Sequence, residues 1–151
     1  MIRIISVGKI KETYLKDAIE EYKKRLSKYT KLEIIEIQDE GIDDIEKAKR
    51  LEGERIKKNI NPKDYVITLE INGKQIDSKQ LAVLLDEKQI VYSNITFIIG
   101  GSYGLSEDIT SLSNYHLSFS KMTFPHQLFR VLLLEQIYRA FKINNNESYH
   151  K

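Results

Sequence analysis

The sequence predicts an α/β fold, a mainly parallel sheet flanked by helices, in one domain covering residues 1–151. Three features predict it. Short Ile- and Val-rich runs alternate with stretches of helical period along the whole chain. The run Ile95 to Ile99 (ITFII) is almost wholly apolar, as a strand buried on both faces must be. A chain of 151 residues, 41% apolar and 30% charged, is long enough to bury a core without staples.

The elements follow in order. Arg3 to Val7 reads as a short buried strand ended by Gly8. A helix from about Glu12 to Tyr29 carries Leu15, Ala18, Ile19, Tyr22, Leu26 and Tyr29 on one stripe. Leu32 to Ile37 is the second strand. Asp43 can cap a helix running to about Ile60, with Ile45, Ala48, Ile56 and Ile60 on one side, and Asn61-Pro62 ends it. Tyr65 to Glu70 is the third strand, followed by a turn through Asn72-Gly73-Lys74. Ser78 is an N-cap candidate for a helix to about Ile90. After the ITFII strand, Ser106 with Glu107 and Asp108 starts a short helix, and Tyr115 to Phe119 is the fifth strand. Pro125 suits the first turn of a last helix to about Ile143.

That last helix is apolar nearly all the way round, from Leu128 to Phe141. One sheet face cannot cover it, so a second apolar surface is implied. The simplest source is the same helix in another copy, giving a two-fold homodimer.

Composition narrows the chemistry. There are no cysteines, which excludes disulfides, thiolate metal sites and a Cys nucleophile. Three scattered histidines without a close carboxylate pair give no metal site. The longest apolar run, Val131 to Leu134, is stopped by Glu135, so no membrane span is expected and the protein reads as cytoplasmic. Net charge is only +2, unlike a globally basic nucleic-acid coat. The basic excess sits late in the chain, at Lys121, Arg130, Arg139, Lys142 and Lys151.

Two irregular loops follow the fourth and fifth strands, Gly100 to Leu105 and Phe119 to Phe124. Loops at the carboxyl ends of parallel strands are where ligands bind. Gly100, Gly101 and Gly104 permit close backbone approach, and a phosphate cradle at the helix start is one reading. GGSYG is neither a dinucleotide fingerprint nor a P-loop: Leu105 and Ser106 stand where Lys-Ser/Thr would be needed. The second loop mixes aromatic, small polar and basic residues, which can read a flat heterocycle by stacking and backbone hydrogen bonds. A plain strand-to-helix connection fits the same residues, and both readings stay open. His116 reads as structural. His126 could face a ligand or cap its neighbours. The tail Ser148-Tyr149-His150-Lys151 is either a frayed end or a set of groups able to stack on a base, move a proton and hold a phosphate.

The segments IIGGSYGL, LSFSKMTFPHQLFRVLLLEQIYRAFKI and the terminal SYHK, with the opening IISVGKIKETY and the TLEINGK turn, closely resemble the RlmH family. These are SPOUT-class methyltransferases that modify N3 of a pseudouridine in 23S ribosomal RNA. The resemblance covers the whole chain. It implies a C-terminal deep trefoil knot and S-adenosyl-L-methionine as cofactor. It implies contacts to that cofactor from Leu69, Gly100 and the loop Phe119, Ser120, Lys121, Met122, Thr123 and Phe124. It also implies a homodimer in which the tail of one subunit completes the site of the other, on an assembled ribosome or large subunit. Within that reading His150 is the candidate base, Arg139 and Lys121 are candidate cations, and Tyr149 is a stacking or orienting group. Methyl transfer from a sulfonium requires no metal. Two rivals remain: a non-catalytic RNA- or nucleotide-binding dimer on the same fold, and a SPOUT enzyme acting on another RNA such as tRNA.

Overall fold

A computed structural model describes residues Met1–Lys151. Five strands form one all-parallel sheet: β1 (Ile2–Val7), β2 (Leu32–Ile37), β3 (Tyr65–Gln75), β4 (Ile95–Ile99) and β5 (Tyr115–Ser118), in the order β2-β1-β4-β3-β5. The helices are α1 (Thr13–Leu26), α2 (Ile45–Lys57), α3 (Ser78–Val91), α4 (Glu107–Thr110) and α5 (His126–Asn144).

Period-2 alternation sends each strand's residues to two cores. Ile2, Ile4, Ile67, Phe97, Ile99 and Leu117 pack against α1, α3 and α5 in the larger one. Ile5, Val7, Ile37, Val66 and Ile98 meet Ile56 of α2 and Ile109 of α4 in the smaller one. The result is three layers, helix on sheet on helix. Phe97 and Ile98 are fully buried on opposite faces of β4, each burial stabilising by about 1.5–3 kcal/mol. The apolar run of β4 is thus a central strand.

Several local expectations are corrected. Asp44, not Asp43, caps α2, accepting from the Lys47 amide at 3.1 Å. Ile45 is 48% exposed rather than on the packed side, because it lies in the first turn before α2 reaches the sheet. Asp77, not Ser78, caps α3: its side chain accepts from the Gln80 amide, and the Gln80 side chain accepts from the Asp77 amide, both at 2.8 Å. This reciprocal pair satisfies two donors that the helix start leaves free. Ser78 instead donates to Gln136 of α5 at 2.6 Å. Pro125 is the N-cap residue of α5 rather than part of its first turn.

The largest departure is β3. It does not end in a turn at Asn72-Gly73-Lys74 but continues to Gln75, with a register shift between Leu69 and Lys74 against β5. Two separate parts of β3 therefore pair with β5. A Cβ on Gly73 would lie 2.8 Å from the backbone of His116 and Leu117, so only glycine lets the strands approach so closely.

Candidate functional site

The carboxyl ends of β3, β4 and β5 surround a cavity of about 410 Å³, a size typical of small-molecule pockets (~300–1,000 Å³). Leu69 and Glu70 supply one wall and the Gly100–Leu105 loop another. Phe119, Ser120, Met122, Thr123 and Phe124 supply the third. Lys121 is not among the lining residues, and its side chain is exposed. His126 and Phe129, at the start of α5, close the cavity from one side.

Local chemistry shapes these walls. A Cβ on Gly100 would sit 2.8 Å from the carbonyl carbon of Gly104, and Gly104 takes φ +81°. The loop is closed by the Gly104 amide donating to the Gly101 carbonyl at 3.0 Å. Ser118 Oγ lies 3.0 Å from the Ile71 carbonyl and 3.1 Å from that of Ser120, tying the end of β3 to the loop after β5. Phe119 packs edge-on against Phe129 with centroids 4.8 Å apart, and Phe124 stacks on the same ring at 5.9 Å. The cavity is apolar-walled, with backbone amides and carbonyls at its loops. That combination suits a flat heterocycle joined to a polar chain.

A polar cluster reaches the cavity from the α4 side. Thr68 and His116 are register partners on β3 and β5, and Glu70 shares their face by the period-2 rule. The buried Thr68 hydroxyl lies 2.6 Å from Glu70 Oε2 and 2.7 Å from Ser113 Oγ, and His116 Nδ1 also contacts Glu70 Oε2. Ser113 donates onward to the Tyr115 carbonyl at 2.8 Å. Neither Glu70 nor its pairing with His116 was evident from the sequence. The available signal was an acidic residue directly after Leu69 at a strand end.

The tail residues form a second group, away from this cavity. Arg139 Nη1 donates to His150 Nδ1 at 3.0 Å, its guanidinium lies 4.7 Å over the Tyr149 ring, and Glu135 binds it at 2.6 Å. The Glu135 carboxylate holds the Arg139 charge more firmly than usual. A guanidinium can only donate, so His150 Nδ1 is the acceptor here and its basic lone pair is engaged. Tyr149 packs edge-on against Tyr138 at 5.0 Å. Glu147 anchors the tail through Tyr29 at 2.8 Å and Lys142 at 3.1 Å. Those two donors lower the Glu147 carboxyl below its ordinary range. None of Arg139, Tyr149 and His150 lines the cavity of their own chain.

Arg130, counted with the late basic excess, is not at the surface. It is 1% exposed, and it donates to Glu36 at 2.6 Å and to the Gly8 carbonyl at 3.0 Å. Burial pushes its pKa down, opposed by Glu36. No group of three or more His, Cys, Asp or Glu residues could hold a metal ion, and no helix is long and apolar enough to cross a membrane.

Fold and cleft together define a parallel α/β protein with a cavity outside the carboxyl ends of its strands. A family described as "Predicted SPOUT methyltransferase" matches residues 1–150. The chain is 60% identical to a putative ribosomal RNA large subunit methyltransferase H of Methanococcus vannielii, over 99% of both chains. It is 58% identical, with the same coverage, to the ribosomal RNA large subunit methyltransferase H of Clostridium botulinum. Among solved structures, a probable methylase family protein from Haemophilus influenzae superposes with a TM-score of 0.57 at 18% identity, covering 99% of this chain and 70% of that one; this likeness speaks for the fold. The chain belongs to the SPOUT methyltransferase family, in its RlmH branch.

Proposed function

We propose that the protein transfers a methyl group from S-adenosyl-L-methionine to N3 of a pseudouridine in 23S ribosomal RNA, within the ribosome or large subunit, in the cytoplasm. The observation that carries this reading is the cavity, where Leu69, Gly100 and five of the six residues Phe119 to Phe124 converge. The names of the relatives at 58–60% identity supply the RNA. The residues present fit the donor: Phe119 and Phe124, at 4.8 and 5.9 Å from the Phe129 ring, flank one loop of the cavity, and Gly100, where a side chain has no room, begins the other. Bound there, the donor would supply an electrophilic methyl carbon. The chain's own task is to hold the base in line with it.

The N3 proton must leave. His150 is the proposed base, Arg139 and the exposed Lys121 stabilise charge spreading onto the flanking carbonyl oxygens, and Tyr149 orients the base. Within one chain His150 lies on Arg139 rather than at the cavity. We therefore assign the tail to the cavity of a second copy, in a homodimer built on the half-buried side of α5, where Val131 and Leu132 remain and Leu128 is 40% exposed. The proposal includes the C-terminal knot, which is supported by the tight passage of Gly73 against β5.

Radiolabelled methyl transfer to separated ribosomal particles, free ribosomal RNA and tRNA tests the reading. Label in 23S RNA of ribosomes or large subunits is expected. Label confined to tRNA would move the substrate, and no label anywhere would leave a binding module.

A further inference from the structure

We infer that Glu70 is a ligand-binding residue of the cavity that accepts the ribose hydroxyls of the bound nucleoside. The inference deepens the donor reading above and rests on it. Glu70 lines the cavity immediately after Leu69. One carboxylate oxygen, Oε2, faces His116 Nδ1 and lies 2.6 Å from the Thr68 hydroxyl, whereas Oε1 has no hydrogen-bond partner in the chain. The cluster is anchored from behind, because Thr68 is fully buried and Ser113 is tied to the Tyr115 carbonyl. A carboxylate held by one oxygen at the rim of an apolar slot presents the other in a fixed direction, and vicinal hydroxyls are complementary donors for it.

A cationic ligand group is the less suitable partner, since the cation-capable His116 ring already faces this carboxylate. The slot walls of Leu69, Phe119 and Phe124 take the flat base, and the sugar attached to that base comes next to the wall that bears Glu70. Loss of one charge-assisted hydrogen bond weakens binding by about tenfold or more.

The test is calorimetric binding of S-adenosylhomocysteine and its 2′-deoxy and 3′-deoxy counterparts to the full chain. The wild-type protein should bind at least one deoxy form about tenfold more weakly than the ribo form. Glu70→Gln should weaken the ribo form by a similar factor and shrink that preference, with an unchanged thermal melt. Equal affinity of all three ligands for the wild-type protein overturns the assignment without any variant. A preference retained in full by Glu70→Gln overturns it as well. An equal loss for all three ligands on Glu70→Gln would place a different ligand group on the carboxylate and also reject the inference. If S-adenosylhomocysteine does not bind the wild-type protein at all, the donor reading fails and this assignment falls with it.

Discussion

Arg130 of α5 and Glu36 of β2 meet at 2.6 Å, and the same Glu36 oxygen accepts from the Ile10 amide at 3.0 Å. One carboxylate therefore joins the last helix, an edge strand and the loop after β1. The Arg130 side chain is 2% exposed and that of Glu36 37%. The cation is the member with no route to water.

Removing the partner should cost more than removing the pair. Glu36→Ala leaves the Arg130 charge buried without a counter-ion and should destabilise by about 3 kcal/mol. The double variant Glu36→Ala with Arg130→Met should recover part of that loss. Urea unfolding of the two variants and the wild type reads the difference. A double variant no more stable than Glu36→Ala would show that the Arg130 packing, not its charge, is what matters.

The close passage at Gly73 gives a second expectation. Gly73→Ala places a Cβ 2.8 Å from the backbone of His116 and Leu117, neither of which can move independently of β5. A loss of about 1–3 kcal/mol is expected. Gly41→Ala, where a Cβ meets nothing within 4 Å, is the control and should be near neutral. Equal unfolding midpoints for the two would mean that the strands can part at no cost.

Glu52 sets a pH dependence. It is 2% exposed, its Oε2 accepts from the Glu40 amide at 3.0 Å, and burial raises its carboxyl above the ordinary range. The folded chain then holds more protons than the unfolded chain between the ordinary carboxyl value and the raised one. Stability from this group consequently falls as pH rises through that window, and below the window it contributes nothing. Glu52→Gln should flatten this part of the profile and gain on the wild type as pH increases. Urea midpoints of both proteins from about pH 4 to pH 8 decide it; parallel profiles would acquit Glu52.

The tail separates binding from chemistry. His150→Ala should lower methyl transfer to ribosomal particles by roughly 10²–10⁴-fold, the usual range for a lost acid–base group. Calorimetric donor affinity should change far less, because the role proposed for His150 is to take the proton of the RNA base, not to hold the donor. Transfer at near wild-type rate would remove His150 as the base.

Two strands were fully legible. Ile95–Ile99, buried at all five positions, and the half-buried Leu32–Ile37, rich in β-branched residues, carry the same bounds in sequence and structure. β3 was not, because Ile71 to Gln75 contains turn-forming Asn-Gly and is held as strand only by β5 pairing, Lys74 to Leu117. The two missed caps are each one residue from an equally suitable side chain, and only the bond to the N3 amide distinguishes them. Arg130 belongs to the late basic excess, yet α5 packing buries it. The site was half legible. Both loops stood out as glycine-rich or aromatic, whereas Glu70 and His116 meet only through the register of two strands far apart in the chain.

The strand order has a consequence for synthesis. β1 lies between β2 and β4, with Ile2 opposite both Leu32 and Ile95. A chain emerging at about 5–20 residues per second leaves one hydrogen-bonding edge of β1 bare until β4 has been made. Only then can β3 and β5 join from the far side. Every pairing in the sheet is parallel and distant, the arrangement that gives slow folding and prolonged exposure of strand edges. Ile2, Ile4 and Ile5, later buried on the two faces of the sheet, are therefore the strand residues that wait longest for their cover.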